Sequence, residues 1–175
     1  YSQIFLNKSK QDNIKNSKEE QYQEGFLRDL FCSVLNYTIK PENNFNLFTE
    51  AKNDVQNKSN SKKADGAICE ENNEHKVKAV IELKGTSTKD LDLVAFQAFS
   101  YKNFHTGCTY IIVSNFEKLR LYVEVQSDFE EFNLFNLTFE RFCVLYVLLE
   151  VIASKLSATA AILAKYGISS PFIAI

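Results

Sequence analysis

Two stretches of alternating apolar and polar residues, separated by Glu71-Asn72-Asn73-Glu74, most constrain what this chain folds into. The first is Lys63-Ala64-Asp65-Gly66-Ala67-Ile68, and the second is Val80-Ile81-Glu82-Leu83-Lys84-Gly85. A period of two is typical of strands, and paired asparagines tolerate the backbone angles of a tight turn. The pattern therefore predicts an antiparallel hairpin.

The predicted hairpin places three charged side chains on one face. If the ends of the turn segment face each other, Asp65 lies opposite Val80 and diagonal to Glu82, at the ~7 Å spacing of such neighbours. Alternation points Lys84 to the same side as Glu82. Two carboxylates this close repel each other unless a cation joins them, and Mg²⁺ is usually held by one or two carboxylates together with substrate phosphate. The hairpin thus predicts a magnesium site, with Lys84 holding or polarising the attacking water.

The alternative interpretation of Glu-x-Lys is a solvated strand face without chemistry. Val80, Ile81 and Leu83 surround these charges with apolar side chains, which sets the charges near a core. Charged groups in such positions are often functional, so the sequence favours a site.

Composition limits the class of protein. The 175 residues are 45% hydrophobic and include 15 Phe and 8 Tyr, enough for the core of one domain. No apolar run reaches membrane length. The net charge of −2 provides no overall attraction to nucleic acid. Any DNA contact therefore has to be local or supplied by a partner region.

The cysteines indicate the cellular compartment, and the first residue indicates whether the chain is part of a longer protein. Four cysteines stand far apart, without a Cys-x-x-Cys pair or a neighbouring histidine, so we expect buried reduced thiols and no zinc site. The absence of a signal peptide and of disulfide spacing predicts a cytoplasmic location. The chain begins at Tyr1 and contains no methionine, so we expect it to be a piece of a longer protein.

The first long helix is predicted from Ser17 to about Asn36, after a polar N-terminal tail at residues 1–16. Ser17 and Glu20 form a capping-box pattern, and a wide apolar stripe follows at helical spacing. Glu20 and Glu24 border that stripe. Capping alone explains Glu20, so a catalytic role for it stays open beside the capping role.

The remaining pattern predicts a mixed sheet with helices on its faces. Apolar residues at helical spacing mark residues 89–104, with cap chemistry at 85–88. There Gln97 and Tyr101 share a face, just after the strand that carries Glu82. The order of helix, three strands, helix and two strands predicts an α/β sandwich. The other predicted strands are 45–50, 108–113 and 118–123, residues 128–137 form a boundary, and helices occupy 139–165.

Two further segments keep two interpretations each. Lys52, Lys58, Lys62 and Lys63 lie in a polar, turn-rich segment before the hairpin. They either contact a phosphate backbone or solvate a loop. The apolar residues 172–175 require a partner surface if they are exposed.

Several of these residues, taken in order, resemble the PD-(D/E)XK nuclease superfamily. They are Glu20, Asp65, Glu82-Leu83-Lys84 and Gln97-Ala98-Phe99-Ser100-Tyr101. The likeness is closest to the amino-terminal cleavage domain of type IIG restriction-modification enzymes and covers about Lys18 to Phe139. The stretches that carry it are Ser-Lys-Lys-Ala-Asp-Gly-Ala-Ile, Ile-Glu-Leu-Lys-Gly-Thr and Ile-Val-Ser-Asn-Phe-Glu-Lys-Leu-Arg-Leu-Tyr.

Two positions depart from the family pattern. Ala64 stands where the family usually has proline before the aspartate. Asn36-Tyr37 stands where such families prefer Gly-Trp or Gly-Tyr, and this is the position from which Glu20 is aligned.

The resemblance implies a fold and a metal site. The fold is restriction-endonuclease-like, with an α-β-β-β-α-β core in a nuclease domain at 17–137. A helical extension at 138–175 would begin a spacer to missing domains. Mg²⁺, or Mn²⁺ in its place, would be bound by Asp65, Glu82 and the main-chain carbonyl of Leu83.

The resemblance also implies roles for residues around the metal. Lys84 would assist the attacking water, and Glu20 would be the acidic residue of the first helix, with Glu24 as the alternative. Gln97 and Tyr101 match a Gln-x-x-x-Tyr element that assists DNA or the active residues.

The function implied by the resemblance is Mg²⁺-dependent hydrolysis of phosphodiester bonds in double-stranded DNA. The implied partners are DNA, the methyltransferase and target-recognition regions of a parent protein, and a transient second copy; no membrane partner is expected. S-adenosylmethionine would act only through the methyltransferase region, which is not in this chain. The isolated domain is expected to cut weakly or not at all, without sequence choice.

Three other functions remain open. The first is a nuclease fold kept as a non-catalytic docking module. The second is an interaction domain that assembles through residues 172–175. The third is another DNA-processing nuclease on the same fold.

Overall fold

The computed structural model describes residues 1–51 and 63–153, which form a mixed six-stranded sheet with helices on both faces. This confirms the predicted α/β class and mixed sheet. The strands lie in chain order across the sheet; β3 and β4 are parallel, and every other neighbouring pair is antiparallel. The strands are β1 Leu47–Ala51, β2 Ala64–Glu70, β3 Asn73–Leu83, β4 Tyr110–Ser114, β5 Lys118–Val123 and β6 Phe129–Asn133. The helices are α1 Ser2–Phe5, α2 Lys8–Asn16, α3 Glu19–Phe26, a π-helix Leu27–Val34 that continues α3, α4 Leu91–Lys102 and α5 Phe139–Ile152.

Two apolar clusters, one on each face, hold the sheet between its helices. Ile81 and Leu83 of β3 belong to the cluster that contains α3, the π-helix and α5. Val80 of the same strand belongs to the cluster that contains α4. Because side chains alternate along a strand, this assigns Glu82 to the α4 side.

The predicted hairpin is confirmed as β2–β3, but its register is wrong by two residues. The turn consists of Glu71 and Asn72, and Asn72 has the left-handed backbone (φ 58°) that asparagine tolerates. Beyond it, bulges place extra residues in β3, so that Val80 pairs with Ala67 and not with Asp65. A shift of two residues preserves which face each side chain occupies.

The segment predicted as an N-terminal tail, residues 1–16, forms α1 and α2. Phe5 is fully buried and Ile14 is 2% exposed in the same cluster as α3. The Gln11 amide donates to the carbonyls of Phe5 (2.7 Å) and Phe135 (2.9 Å). These contacts join the segment to the connection between β6 and α5.

The ends of the chain's later elements differ in detail from the predictions. β6 lies within the predicted boundary 128–137. The N-cap of α4 is Asp90, whose carboxylate accepts from the Asp92 N–H at 2.9 Å, and not a residue of 85–88. α5 begins at Phe139 as predicted and is capped by Thr138. Residues 154–175, including the predicted rest of the helical extension and the apolar end, lie outside the described residues, as do Lys52, Lys58 and Lys62.

The described part of the chain contains no helix with both the length and the apolar character needed to cross a bilayer.

Candidate functional site

Asp65 and Glu82 come together on the adjacent strands β2 and β3. Gly66 pairs with Ile81, so the next position along each strand sets Asp65 beside Glu82. The Asp65 carboxylate is fixed at both oxygens, since it accepts from the Leu83 N–H at 2.7 Å and from the Gln23 side-chain amide at 3.0 Å. Glu82 is only 1% exposed. The structure thus holds two carboxylates in defined orientations at one end of the hairpin.

Lys84 lies immediately after β3 and supplies the cation of this cluster. Its Nζ donates to Glu82 Oε1 at 2.9 Å, to the Leu83 carbonyl at 3.0 Å and to Glu19 Oε1 at 3.4 Å. Its main-chain N–H donates to the Ser114 carbonyl at 2.8 Å, which extends the contact between β3 and β4 by one residue. The ammonium therefore faces three acceptors from two elements.

The structure brings Glu19, not the predicted Glu20, to Lys84. Glu19 Oε2 also accepts from the Gly85 N–H at 3.1 Å, while Glu20 is exposed. The alternative, Glu24, is exposed and pairs with Arg28 at 2.8 Å. α3 begins at Glu19, after Lys18 and not after Ser17. Successive residues of a helix lie about 100° apart around its axis, so Glu19 and Glu20 do not both face Lys84.

Gln23 is a second site residue that the sequence analysis missed. It lies one turn after Glu19 and donates to Glu19 Oε1 at 3.4 Å as well as to Asp65. The available signal was the four-residue spacing of Glu19 and Gln23, which puts them on one helix face.

A DNA-cleavage assay of Glu19→Gln and Glu20→Gln tests which of the two glutamates contributes to the reaction. Glu19→Gln removes the charge that contacts Lys84, so cleavage should fall by about 10- to 100-fold, as for other groups that orient a metal site. Glu20→Gln changes an exposed side chain and should leave the rate within about twofold. Plasmid nicking in Mn²⁺ measures both variants, and a larger loss for Glu20→Gln would contradict the assignment of Glu19.

Gln97 and Tyr101 reach the cluster from α4, as their predicted shared face implies. The Gln97 amide donates to Glu82 Oε1 at 2.6 Å and to the Tyr101 hydroxyl at 2.8 Å. Tyr101 is 3% exposed. In this structure both residues therefore orient Glu82, and a direct contact of either one with DNA remains a prediction.

The electrostatics of the cluster are those of crowded, desolvated carboxylates. Burial, and then the charge of Asp65, raise the pKa of Glu82 to about 7. Burial also raises the pKa of Asp65, although the hydrogen bond from Leu83 opposes it. Burial acts to lower the pKa of Lys84, but its hydrogen bond and charge interaction with Glu82 outweigh burial, so the pKa of Lys84 is raised. The ammonium stays protonated because it neutralises its neighbours.

The donor set fits a hard divalent cation. Glu82 Oε2 is buried and has no hydrogen-bond partner within the described residues. Beside it lie the Asp65 carboxylate and the Leu83 carbonyl, all oxygen donors of the kind that Mg²⁺ takes together with several waters. No group of three or more His, Cys, Asp or Glu side chains in the described segments is arranged to hold a metal. Metal binding by the Asp65 and Glu82 carboxylates and the Leu83 carbonyl remains a prediction.

Comparison of the chain with protein-family models, with curated proteins and with solved structures finds no match.

Proposed function

We propose that the chain is a Mg²⁺-dependent DNA endonuclease domain with a restriction-endonuclease-like fold. The observation that carries the proposal is the convergence of Asp65, Glu82 and Lys84 at one end of β2 and β3. A buried carboxylate and a partly buried one on adjacent strands, with a lysine in contact with the buried one, form the constellation expected for hydrolysis of a phosphodiester, in which charge develops on phosphate oxygens.

The order of elements supports the fold. A helix (α3), three antiparallel strands (β1–β3), a helix (α4) and a strand parallel to the third (β4) follow one another. This is the α-β-β-β-α-β order of the family that the sequence resembles. The acidic helix residue of that family corresponds here to Glu19, and the Gln-x-x-x-Tyr element to Gln97 and Tyr101.

Each side chain has a defined task in the proposed reaction. Asp65, Glu82 and the Leu83 carbonyl would hold Mg²⁺, which when bound supplies Lewis acidity at the phosphate. Lys84 holds the attacking water and, being cationic, stabilises negative charge developing beside it. Glu19 keeps the Lys84 ammonium in position, and Gln97 fixes the Glu82 carboxylate through a 2.6 Å hydrogen bond.

We place this domain in a restriction-modification protein of the type IIG kind. A methyltransferase region and a target-recognition region would then supply the sequence choice, and S-adenosylmethionine would serve the methyltransferase region. The net charge of −2 supports the proposal that other regions of the protein provide most of the affinity for DNA.

A second candidate function, a non-catalytic docking module, is favoured by one observation. The Lys84 ammonium already contacts Glu82, the Leu83 carbonyl and Glu19. The cluster is therefore partly neutralised without any metal, as it would be in a nuclease fold that no longer cuts.

Metal titration separates the two functions. We expect the chain to bind Mn²⁺, and Asp65→Ala to weaken that binding by at least about tenfold, because it removes one of two carboxylate donors. Isothermal calorimetry, with Mn²⁺ paramagnetic broadening of amide signals near residue 83, provides the measurement. Asp12→Ala is the matched control, since Asp12 is an exposed aspartate paired only with Lys8 among the described residues. Equal Mn²⁺ binding by Asp65→Ala and the parent chain would contradict the site and favour the docking module.

A further inference from the structure

A cleft of about 370 Å³ lies directly beside the candidate site and shares Glu19 with it. Its other lining residues are Lys15, Ser17, Lys18, Glu20, Gly85, Thr86 and Ser87. We propose that this cleft binds a backbone phosphate of duplex DNA next to the phosphate that is cut. The proposal rests on the proposed function, because it extends the same site along the DNA strand.

The charge of the cleft is the first argument. Eight lysines of the described segments pair with carboxylates: Lys8, Lys10, Lys40, Lys63, Lys76, Lys84, Lys89 and Lys118. None of the ion pairs found within those segments involves Lys15 or Lys18. The Lys15 ammonium lies 5.4 Å from the centre of the Phe135 ring, a contact that leaves its charge in place. Two ammonium groups without carboxylate partners therefore stand at one cleft.

One wall of the cleft is tied to α2 and carries an exposed hydroxyl. Thr86 is 6% exposed, and its hydroxyl donates to the Lys15 carbonyl at 3.3 Å, which ties the loop after β3 to α2. Ser87, the next residue, is exposed. The lysines supply charge and the Ser87 hydroxyl supplies a hydrogen-bond donor, a combination common at DNA phosphates.

The lining of the cleft also carries two carboxylates. The Glu19 carboxylate is engaged by Lys84 and by the Gly85 N–H. Glu20 is exposed to solvent, as are Lys15 and Lys18. The formal charges of the lining therefore balance, and the attraction for a phosphate comes from the two lysines, which no carboxylate of the described segments contacts.

The cleft adjoins the candidate site through Glu19, which contacts Lys84 and also lines the cleft. A strand whose phosphate meets Lys84 would therefore pass this cleft with a neighbouring phosphate.

The salt dependence of DNA binding tests the proposal. The full chain and its Lys15→Gln/Lys18→Gln variant are titrated, in EDTA, against a fluorescently labelled duplex at several salt concentrations. Each lost phosphate contact lowers the slope of log affinity against log salt by about 0.9, so we expect a slope smaller by about 1 to 2 and an affinity lower by roughly tenfold. Lys40→Gln/Lys76→Gln removes the same charge near the far end of β3 and should change the slope by much less.

Four outcomes decide the proposal. A slope lowered only in the Lys15/Lys18 variant supports the cleft, and Lys18→Gln alone, which disturbs no ring contact, should then give about half the change. Equal losses in both double variants, no loss in either, or no DNA binding by the unsubstituted chain overturns it. Mn²⁺ binding is scored separately: if the variant loses salt slope but the unsubstituted chain binds no Mn²⁺, the proposed function fails while the phosphate site stands. In an active chain, the variant should raise KM and leave kcat within about twofold.

Discussion

Lys84→Met is expected to abolish metal-dependent DNA cleavage and to make the folding stability of the chain strongly dependent on pH. Methionine keeps the length of the side chain but removes the ammonium that contacts Glu82, Glu19 and the Leu83 carbonyl. In the proposed reaction Lys84 holds the attacking water and stabilises developing charge, so its loss should lower the cleavage rate by about 10³-fold or more.

The stability effect follows from the burial of Glu82. Its side chain is 2% exposed, and Lys84 is its cationic partner. Removing one partner of a buried pair leaves an uncompensated charge, which typically costs roughly 3–5 kcal/mol. Protonation of Glu82 avoids that cost, so the variant should lose about 3 kcal/mol at pH 8.5 and much less at pH 6.

Denaturant unfolding of the parent and the variant at both pH values measures this difference, in EDTA and then in Mg²⁺. We expect Mg²⁺ to recover part of the variant's stability, because a divalent cation replaces the lost positive charge, but not its cleavage. Lys118→Met is the matched control, since Lys118 is a half-exposed lysine paired with Glu131 at 3.1 Å on the distant edge of the sheet. A Lys84→Met variant that still cuts DNA would rule out the role of Lys84 in the reaction.

The hairpin residues of the site were predictable because strand alternation survives an error in register. The predicted pairing of Asp65 with Val80 is wrong by two residues, because the alternation of apolar and polar residues does not reveal the bulges of β3. An even shift keeps every side chain on its face. Asp65, Glu82 and Lys84 were therefore assigned correctly to one face by an incorrect register, although Asp65 lies directly beside Glu82 and not diagonal to it.

The helix residue of the site was harder to predict, because a helix does not tolerate a small positional error in the way that a strand tolerates an even shift. Glu20 was aligned with the family's helix acid by its distance from residues 35–37, and an alignment error of one residue changes a side chain's direction around a helix by about 100°. Serine is a strong N-cap residue, yet Ser17 donates to the Asn13 carbonyl at the end of α2 and does not cap α3. The preceding helix, which the sequence analysis did not predict, is the competing structure.

The N-terminal helices and β6 were missed because their stability comes from distant residues. Residues 1–16 have few apolar side chains, and Phe5 and Ile14 pack against apolar residues that are distant in the sequence. β6 is half polar, but Glu131 pairs with Arg120 of β5 at 2.7 Å. Such contacts are tertiary, and a local pattern does not contain them.

Glu82→Gln is expected to abolish cleavage and, at the same time, to stabilise the metal-free fold above pH 7. Glutamine keeps the oxygen that accepts from Lys84 and Gln97, while its amide replaces Oε2, which has no hydrogen-bond partner in the described part of the chain. It also removes the repulsion between two carboxylates. If Glu82 binds Mg²⁺ as proposed, its substitution should lower cleavage by about 10³-fold or more.

The sign of the pH effect follows from the raised pKa of Glu82. Its pKa is about 7 in the folded chain, against 4.5 as the ordinary value. Between these two values the folded state binds a proton that the unfolded state has released, so the free energy of unfolding of the parent falls as pH rises through this window. The destabilisation is complete above pH 7 and absent below pH 4.5. Glutamine does not titrate, so the variant should exceed the parent by on the order of 1–3 kcal/mol at pH 8 and match it near pH 4.5.

Urea unfolding across pH 4.5–8.5 in EDTA checks this expectation, and Glu131→Gln provides a control of opposite sign. Burial alone would raise the pKa of Glu131, but hydrogen bonds from Arg120 and Lys118 lower it. Its ionised form therefore stabilises the fold above the ordinary pKa, and Glu131→Gln should be less stable than the parent at pH 8. If Glu82→Gln also lost stability at pH 8, Glu82 would be a structural ion-pair partner of Lys84. If Glu82→Gln instead gains stability and loses cleavage, Glu82 is a carboxylate that destabilises the fold and is required for the reaction.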